Sequence, residues 1–145
     1  MIVSQILKSK PTHAITTIGT DETINDAARL LAKHRIGALI VSNDGTSVAG
    51  ILSERDIVRE IAEKGIGCMS DKVSDVMTSK VSVCAPGDSA VSILETMTNG
   101  RFRHIPVVAD GALTGVISIG DVVKARIDEV EHENSALTEM IAGNA

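Results

Sequence analysis

The chain has 145 residues, enough for one compact domain or two small ones. Its apolar residues are almost all aliphatic, Phe102 being the sole aromatic, and its formal net charge is −5. These features argue against a base-stacking platform and against nucleic acid or anionic membranes as partners. No apolar run approaches the ~18 residues that read as a membrane span. Met1 to Leu7 lacks a basic lead and is not expected to act as a signal peptide. Cys68 and Cys84 are too few and wrongly spaced for a disulfide framework or a zinc site. They read as reduced thiols of a cytoplasmic protein.

In chain order, Val3 to Leu7 is a short helical lead-in that returns as Val73 to Met77. After Pro11, Ala14 to Ile18 predicts a strand rich in Ile and Thr. Val81 to Cys84 is its counterpart, closed by Pro86-Gly87. Thr23 and Ser89 open helices. Ile24, Ala27, Ala28, Leu31 and Ala32 share one face of the first, and Ala90, Ile93, Leu94 and Met97 one face of the second. Ala38 to Val41 and Ile105 to Val108 predict buried strands, followed by turns at Asn43-Asp44-Gly45 and Asp110-Gly111. A further strand then runs into a further helix in each half. Gly65 to Ser70 joins the halves. The pattern is β-α-β-β-α twice, with antiparallel hairpins expected and the first strand pairing across its helix.

The last strand and helix of each half meet in a seven-residue stretch that occurs twice. Gly50-Ile51-Leu52-Ser53-Glu54-Arg55-Asp56 is matched by Gly115-Val116-Ile117-Ser118-Ile119-Gly120-Asp121. Each is a buried strand entering a helix N-terminus, which offers unpaired N–H groups and the positive end of a dipole to an anion. The aspartate can accept two hydrogen bonds, as from a ribose diol. A capping box without any ligand is the alternative reading. A ~60-residue unit buries only about 60% of its unfolded surface, so two repeats packed sheet to sheet about a pseudo-two-fold axis are expected. Two related clefts then lie between them, each lined by one Ser-x-x-Asp junction.

The doubled β-α-β-β-α pattern, the doubled Gly-aliphatic-aliphatic-Ser-x-x-Asp and Arg103-His104-Ile105-Pro106-Val107 together resemble the cystathionine-β-synthase (CBS) domain family. The resemblance covers about residues 1 to 128 and implies a stand-alone CBS pair, or Bateman module, of α+β class. The expected division is repeat one over 1–68, repeat two over 69–128 and a C-terminal helical extension over 129–145. The resemblance implies a regulatory protein that binds AMP, ADP, ATP or NAD(H) in its inter-repeat clefts, without a catalytic cofactor and for an unknown client protein. It maps Asp56 and Asp121 onto ribose acceptors, and Ser53 and Ser118 onto ribose or phosphate contacts. Ile18, Val83, Gly37, Ala38, His104, Ile105 and Pro106 map onto the adenine slot.

The basic residues Lys33, His34, Arg35, Arg55, Arg101, Arg103 and His104 are the phosphate candidates, Arg above all because it suits bidentate phosphate contact. The alternative is solvated charge at helix ends. Repeat two carries the fuller motif, so the Ser118–Asp121 cleft is an expected nucleotide site. Arg55, inside the first junction, and Arg103 are expected to carry phosphate charge. Gly37-Ala38-Leu39 stands where repeat two has His104-Ile105-Pro106, which predicts unequal clefts.

An enzyme is the first rival. The chain has no phosphate-binding Gly-x-x-x-x-Gly-Lys-Ser/Thr loop, no Gly-x-Gly-x-x-Gly after a strand, and no nucleophile motif. His13, His34, His104 and His132 lack metal-ligand spacing. A ligand-free dimerisation or scaffold module is the second rival, disfavoured because both Ser–Asp pairs are retained. Finally, Val123, Ile127, Val130, Leu137 and Ile141 follow a heptad seam with a polar gap at Asn134, which predicts a homodimer through the C-terminal helix. The competing arrangement folds that helix over Ile2, Ile6 and Leu7.

Overall fold

The computed structural model of the protein describes residues 1–11 and 14–143. A lead-in helix α1 (Val3–Ser9) precedes repeat one, which comprises β1 (Thr17–Ile18), α2 (Ile24–His34), β2 (Ala38–Val41), β3 (Gly50–Ser53) and α3 (Glu54–Lys64). A 3₁₀ turn (Ile66–Ser70) leads to a second lead-in, α4 (Val73–Val76). Repeat two contributes α5 (Ala90–Gly100), β4 (His104–Ala109), β5 (Ala112–Ser118) and the long α6 (Ile119–Gly143). The helices start where side-chain caps permit. Thr23 Oγ1 accepts from Asp26 N–H and Ser89 Oγ from Ser92 N–H, each satisfying a donor that the first turn leaves open.

In repeat one, β1 runs parallel to β2 and β2 antiparallel to β3, giving the order β1-β2-β3. In repeat two, β4 and β5 form an antiparallel hairpin. Its turn uses Asp110 and Gly111 at φ 52° and 78°, the left-handed pair that matches the twist of a two-residue hairpin. The predicted first strands are shorter than expected. Ala14 to Ile18 contracts to Thr17–Ile18, and Val81 to Cys84 to a single parallel bridge between Cys84 and Val107. The residues upstream leave the sheets to line the clefts described below.

The lead-in helices are exchanged between the repeats. Val3 and Ile6 of α1 are buried with Ile93, Met97, Ile105 and Ile117 of repeat two, while Val73 of α4 is buried with Ile24, Leu31, Leu39 and Leu52 of repeat one. Matched backbone bonds fix the exchange. Val3 N–H donates to Asp88 O (2.8 Å) and Val73 N–H to Glu22 O (2.8 Å). The glycines that open the doubled stretch are required by this packing. A Cβ at Gly50 would lie 2.6 Å from Met77 Sδ and 2.8 Å from Thr78 O, and one at Gly115 would lie 2.7 Å from Leu7 Cδ2. Each glycine therefore lets the other repeat's lead-in cross its strand.

The first turns of α6 bury Val122 and Ala125 in the repeat-two core beside α1, and the Met1 ammonium pairs with Glu129. The N-terminal segment thus covers one face of α6. The predicted seam lies on another face: Ile127 is 51% exposed and Leu137 56%.

Candidate functional site

Both doubled stretches close as reciprocal capping boxes. Ser53 N–H donates to Asp56 Oδ2 (2.9 Å), and Asp56 N–H to Ser53 Oγ (3.2 Å). Ser118 and Asp121 repeat the arrangement at 2.9 and 3.1 Å. The cap commits the serine hydroxyl and one carboxylate oxygen in each junction, and leaves Oδ1 of the aspartate outside it. The residue after each serine is tied to the opening of the neighbouring strand: Glu54 N–H donates to Gly37 O (2.9 Å) and Ile119 N–H to Arg103 O (2.8 Å).

Each junction faces the other repeat across a cleft. The Ser53–Asp56 cleft, of about 270 Å³, is completed by Gly100 to His104 of repeat two and by Lys80, Val81 and Ser82. The Ser118–Asp121 cleft, of about 380 Å³, is completed by Arg35 to Ala38 of repeat one and by Lys10, Ala14, Ile15 and Thr16. Both volumes are near the lower end of the range for small-ligand sites. Arg35 and Arg101 are the matching corners. Each ends a helix in the left-handed conformation, at φ 52° and 55°, which costs a non-glycine residue on the order of 1–2 kcal/mol. Backbone bonds from Ile36 N–H to Leu31 O (3.2 Å) and from Phe102 N–H to Met97 O (3.2 Å) hold the two turns.

This doubled architecture agrees with comparison to known proteins. The CBS domain family matches residues 3–63 and 73–128. The chain belongs to the CBS domain family. It is 37% identical to the CBS domain-containing protein CBSX3, mitochondrial, of Arabidopsis thaliana, over 97% of this chain and 72% of that protein. The CBS-domain containing protein ATU1752 from Agrobacterium tumefaciens superposes with a TM-score of 0.83 at 42% identity, covering 87% of this chain and 99% of that one. The CBS domain protein PAE2072 from Pyrobaculum aerophilum, solved complexed with AMP, superposes with a TM-score of 0.73 at 26% identity, covering 83% and 89%. CBS pairs of this kind are regulatory proteins.

Among the residues singled out from the sequence, Ser53, Arg55, Asp56, Arg101 and Arg103 come together in the first CBS cleft. Arg35, Ser118 and Asp121 come together in the second, and Gly37, Ala38 and His104 line both. Arg55 and Arg103 therefore sit together in the first cleft and not in the Ser118–Asp121 cleft. Ile18, Val83, Ile105 and Pro106 line neither cleft. Ile18 and Ile105 point into the two cores at 2% and 1% exposure, Pro106 is buried in the β4–β5 pairing, and Val83 is 50% exposed. Successive side chains of a strand face opposite sides, and the register of β1 and β4 puts Ile18 and Ile105 on the core side.

The structure adds residues that the sequence reading missed. Lys10 Nζ sits 3.0 Å from Asp121 Oδ2 and donates to Val116 O at 2.9 Å. Lys80 lines the other cleft. A signal was available, since Ser9-Lys10 and Ser79-Lys80 close the two matched lead-ins. Phe102, the sole aromatic, lines the first cleft where Ile36 lines the second.

His104 forms the wall shared by both clefts. A Cβ on Gly37 would meet its Cε1 at 3.2 Å, so the glycine admits the imidazole between the repeats. Burial holds the His104 pKa below its ordinary value, with Lys10 and Arg103 pushing the same way and the Glu54 and Asp121 carboxylates opposing. The imidazole is therefore neutral at pH 7. Cys68 and Cys84 are both free and buried. Burial pushes the Cys84 thiol up to about 12, which removes it as a nucleophile at neutral pH. Among the described residues no group of three or more His, Cys, Asp or Glu side chains could hold a metal ion; His13 lies outside them. No described helix is long and apolar enough to cross a membrane.

Proposed function

We propose that this CBS pair is a non-catalytic regulator that binds adenine nucleotides, AMP, ADP, ATP or NAD(H), in its two inter-repeat clefts. The observation that carries the proposal is the cross-repeat pairing of parts. A junction carboxylate from one repeat faces a left-handed arginine from the other, with aliphatic walls between them. A ribose diol can donate to Oδ1 of Asp121, or to Oδ1 of Asp56 beside the exposed Arg59, and arginine can take the phosphate. The AMP bound by the Pyrobaculum relative supports the same ligand class. Binding across the repeats would make the ligand sensitive to their relative position, which is how differential affinity for two shapes becomes a signal. The test is mass spectrometry of small molecules released from the purified, denatured protein. An adenosyl compound is expected; a guanine nucleotide in its place would overturn the reading.

A ligand-free scaffold is the second reading, favoured by one observation: both aspartates already satisfy their helix caps. Return of unbound protein that also fails to take up added AMP, ATP or NADH would support it. Under either reading the seam of α6 is proposed as a homodimer contact. Ile127, Leu137 and Ile141 are each more than half exposed along a heptad register, and apolar seams of that register pair with a second helix. Light scattering should give a dimer for the full chain and a monomer for a chain ending at Asp128. A dimer of equal stability after truncation would exclude the seam.

A further inference from the structure

The two clefts are related by the pseudo-two-fold axis, yet their charge is not. The Ser53–Asp56 cleft gathers five cations, Arg55, Arg59, Lys80, Arg101 and Arg103, against the two carboxylates Glu54 and Asp56. The Ser118–Asp121 cleft gathers two cations, Lys10 and Arg35, against one carboxylate, Asp121. The excess positive charge is three in the first and one in the second.

Ion pairing widens the gap. Lys10 is bound to Asp121 and to a backbone carbonyl, so its charge is already neutralised within the second cleft. Arg35 alone remains for an anion there. In the first cleft Arg59 lies 3.5 Å from Asp56. Arg55, Lys80, Arg101 and Arg103 form no carboxylate pair among the described residues. All four are exposed, so they stay hydrated and ready to converge on an anion. The difference arises at matched positions: Arg55 stands where repeat two has Gly120, and, because Ala38 rather than the expected Gly37 pairs with the junction serine as His104 does, Arg103 stands where repeat one has Gly37.

We infer that the clefts divide adenosyl ligands by phosphate number. The Ser53–Asp56 cleft takes a nucleoside di- or triphosphate. The Ser118–Asp121 cleft takes an adenosyl compound with no more than one phosphate. Each added phosphate brings further negative charge and acceptor oxygens, which four unpaired cations can meet and one cannot. Converging like charges in a cleft also focus the field that attracts such an anion.

This inference rests on the adenosyl reading above, and the experiment separates the two. Methyl-resolved NMR of the full chain is titrated with adenosine, AMP and ATP. Ile51 and Val81 report on the first cleft, and Ile15 and Val116 on the second. ATP at the lowest saturating concentration should shift Ile51 and Val81 first, and adenosine should shift Ile15 and Val116. In the double variant R55A/R103A, the ATP affinity of the first cleft should fall at least tenfold, while adenosine at the second stays within twofold. R35A should leave ATP at the first cleft within twofold. ATP that fills the second cleft first, or an equal loss of ATP affinity in R35A and in R55A/R103A, would overturn the division of ligands. If none of the three ligands shifts any of the four methyl groups, the adenosyl reading fails first and the division of ligands falls with it.

Discussion

The Ser53–Asp56 cleft and the Ser118–Asp121 cleft share one construction. In each, a capped junction from one repeat faces a left-handed arginine from the other, and a lysine from a lead-in closes the side. They differ at a few matched positions. Arg55 is replaced by Gly120, Arg103 by Gly37, and Phe102 by Ile36. The lysines differ in state as well. Lys10 is bound to its aspartate, whereas Lys80 forms no such pair among the described residues. The two repeats keep the same backbone device while their charge differs, so one scaffold presents two chemically distinct sites.

The largest difference between the two halves is expected at the glycines. A methyl on Gly50 meets the backbone carbonyl of Thr78, which is held by its hydrogen bond from Ile51 N–H. A methyl on Gly115 meets only the flexible end of Leu7. Overpacking costs typically about 1–3 kcal/mol, so Gly50→Ala should fall at the top of that range and Gly115→Ala near the bottom. Urea unfolding with unchanged m-values would measure both. Equal costs would mean that the two lead-ins press equally tightly on these strands, against the difference in their contacts.

The junction aspartates should give the next largest effect. Asp121→Ala and Asp56→Ala each remove a charged acceptor, worth about 1.5–3 kcal/mol to a bound ribose. The loss should be confined to the mutated cleft, read as adenosine or AMP affinity by calorimetry. Asp121→Ala also releases Lys10, so phosphate affinity in that cleft should recover part of the loss, whereas Asp56→Ala releases only Arg59. Helix-cap loss of about 1 kcal/mol should appear in the unfolding of both variants.

A smaller effect follows from His104, which both clefts share. Its folded pKa is depressed, so the unfolded chain takes up a proton first as pH falls below the ordinary histidine range of about 6.5. More protons on the unfolded state means that stability declines with falling pH, from there down to the lower folded pKa of His104. His104→Gln should flatten that decline in denaturant unfolding between pH 7.5 and 5. Glu54, Asp121, Lys10 and Arg103 all face the imidazole, and a bound phosphate adds negative charge beside them. Nucleotide binding at pH 6 should therefore take up a proton, visible as a buffer-dependent calorimetric heat. A heat that does not vary with buffer would detach His104 from the ligand.

Much of this construction was legible in the sequence. Thr23 with Asp26, Ser53 with Asp56 and Ser118 with Asp121 carry their own capping chemistry, and the short apolar runs carry the strands. Local pattern therefore located both junctions. The exchange of lead-ins was not legible, because Val3 to Leu7 and Val73 to Met77 present the same apolar positions to either core. Only the long-range fit over Gly115 and Gly50 decides between them. For the same reason Arg103 could not be assigned to a cleft. It neighbours the Ser118 junction through its carbonyl bond to Ile119, yet it lines the cleft of Ser53. Ile18 and Val83 were drawn to the slot by position in the repeat, while β1 turns Ile18 into the core and Val83, outside any strand, lies half exposed.

Whether the inter-repeat clefts hold adenine nucleotides is decided by a calorimetric titration of the full chain with AMP and ATP beside GMP and GTP. Saturable binding of the adenine pair, at least tenfold tighter than the guanine pair, is the predicted result. Absence of binding by all four, or a preference for guanine, would contradict the account.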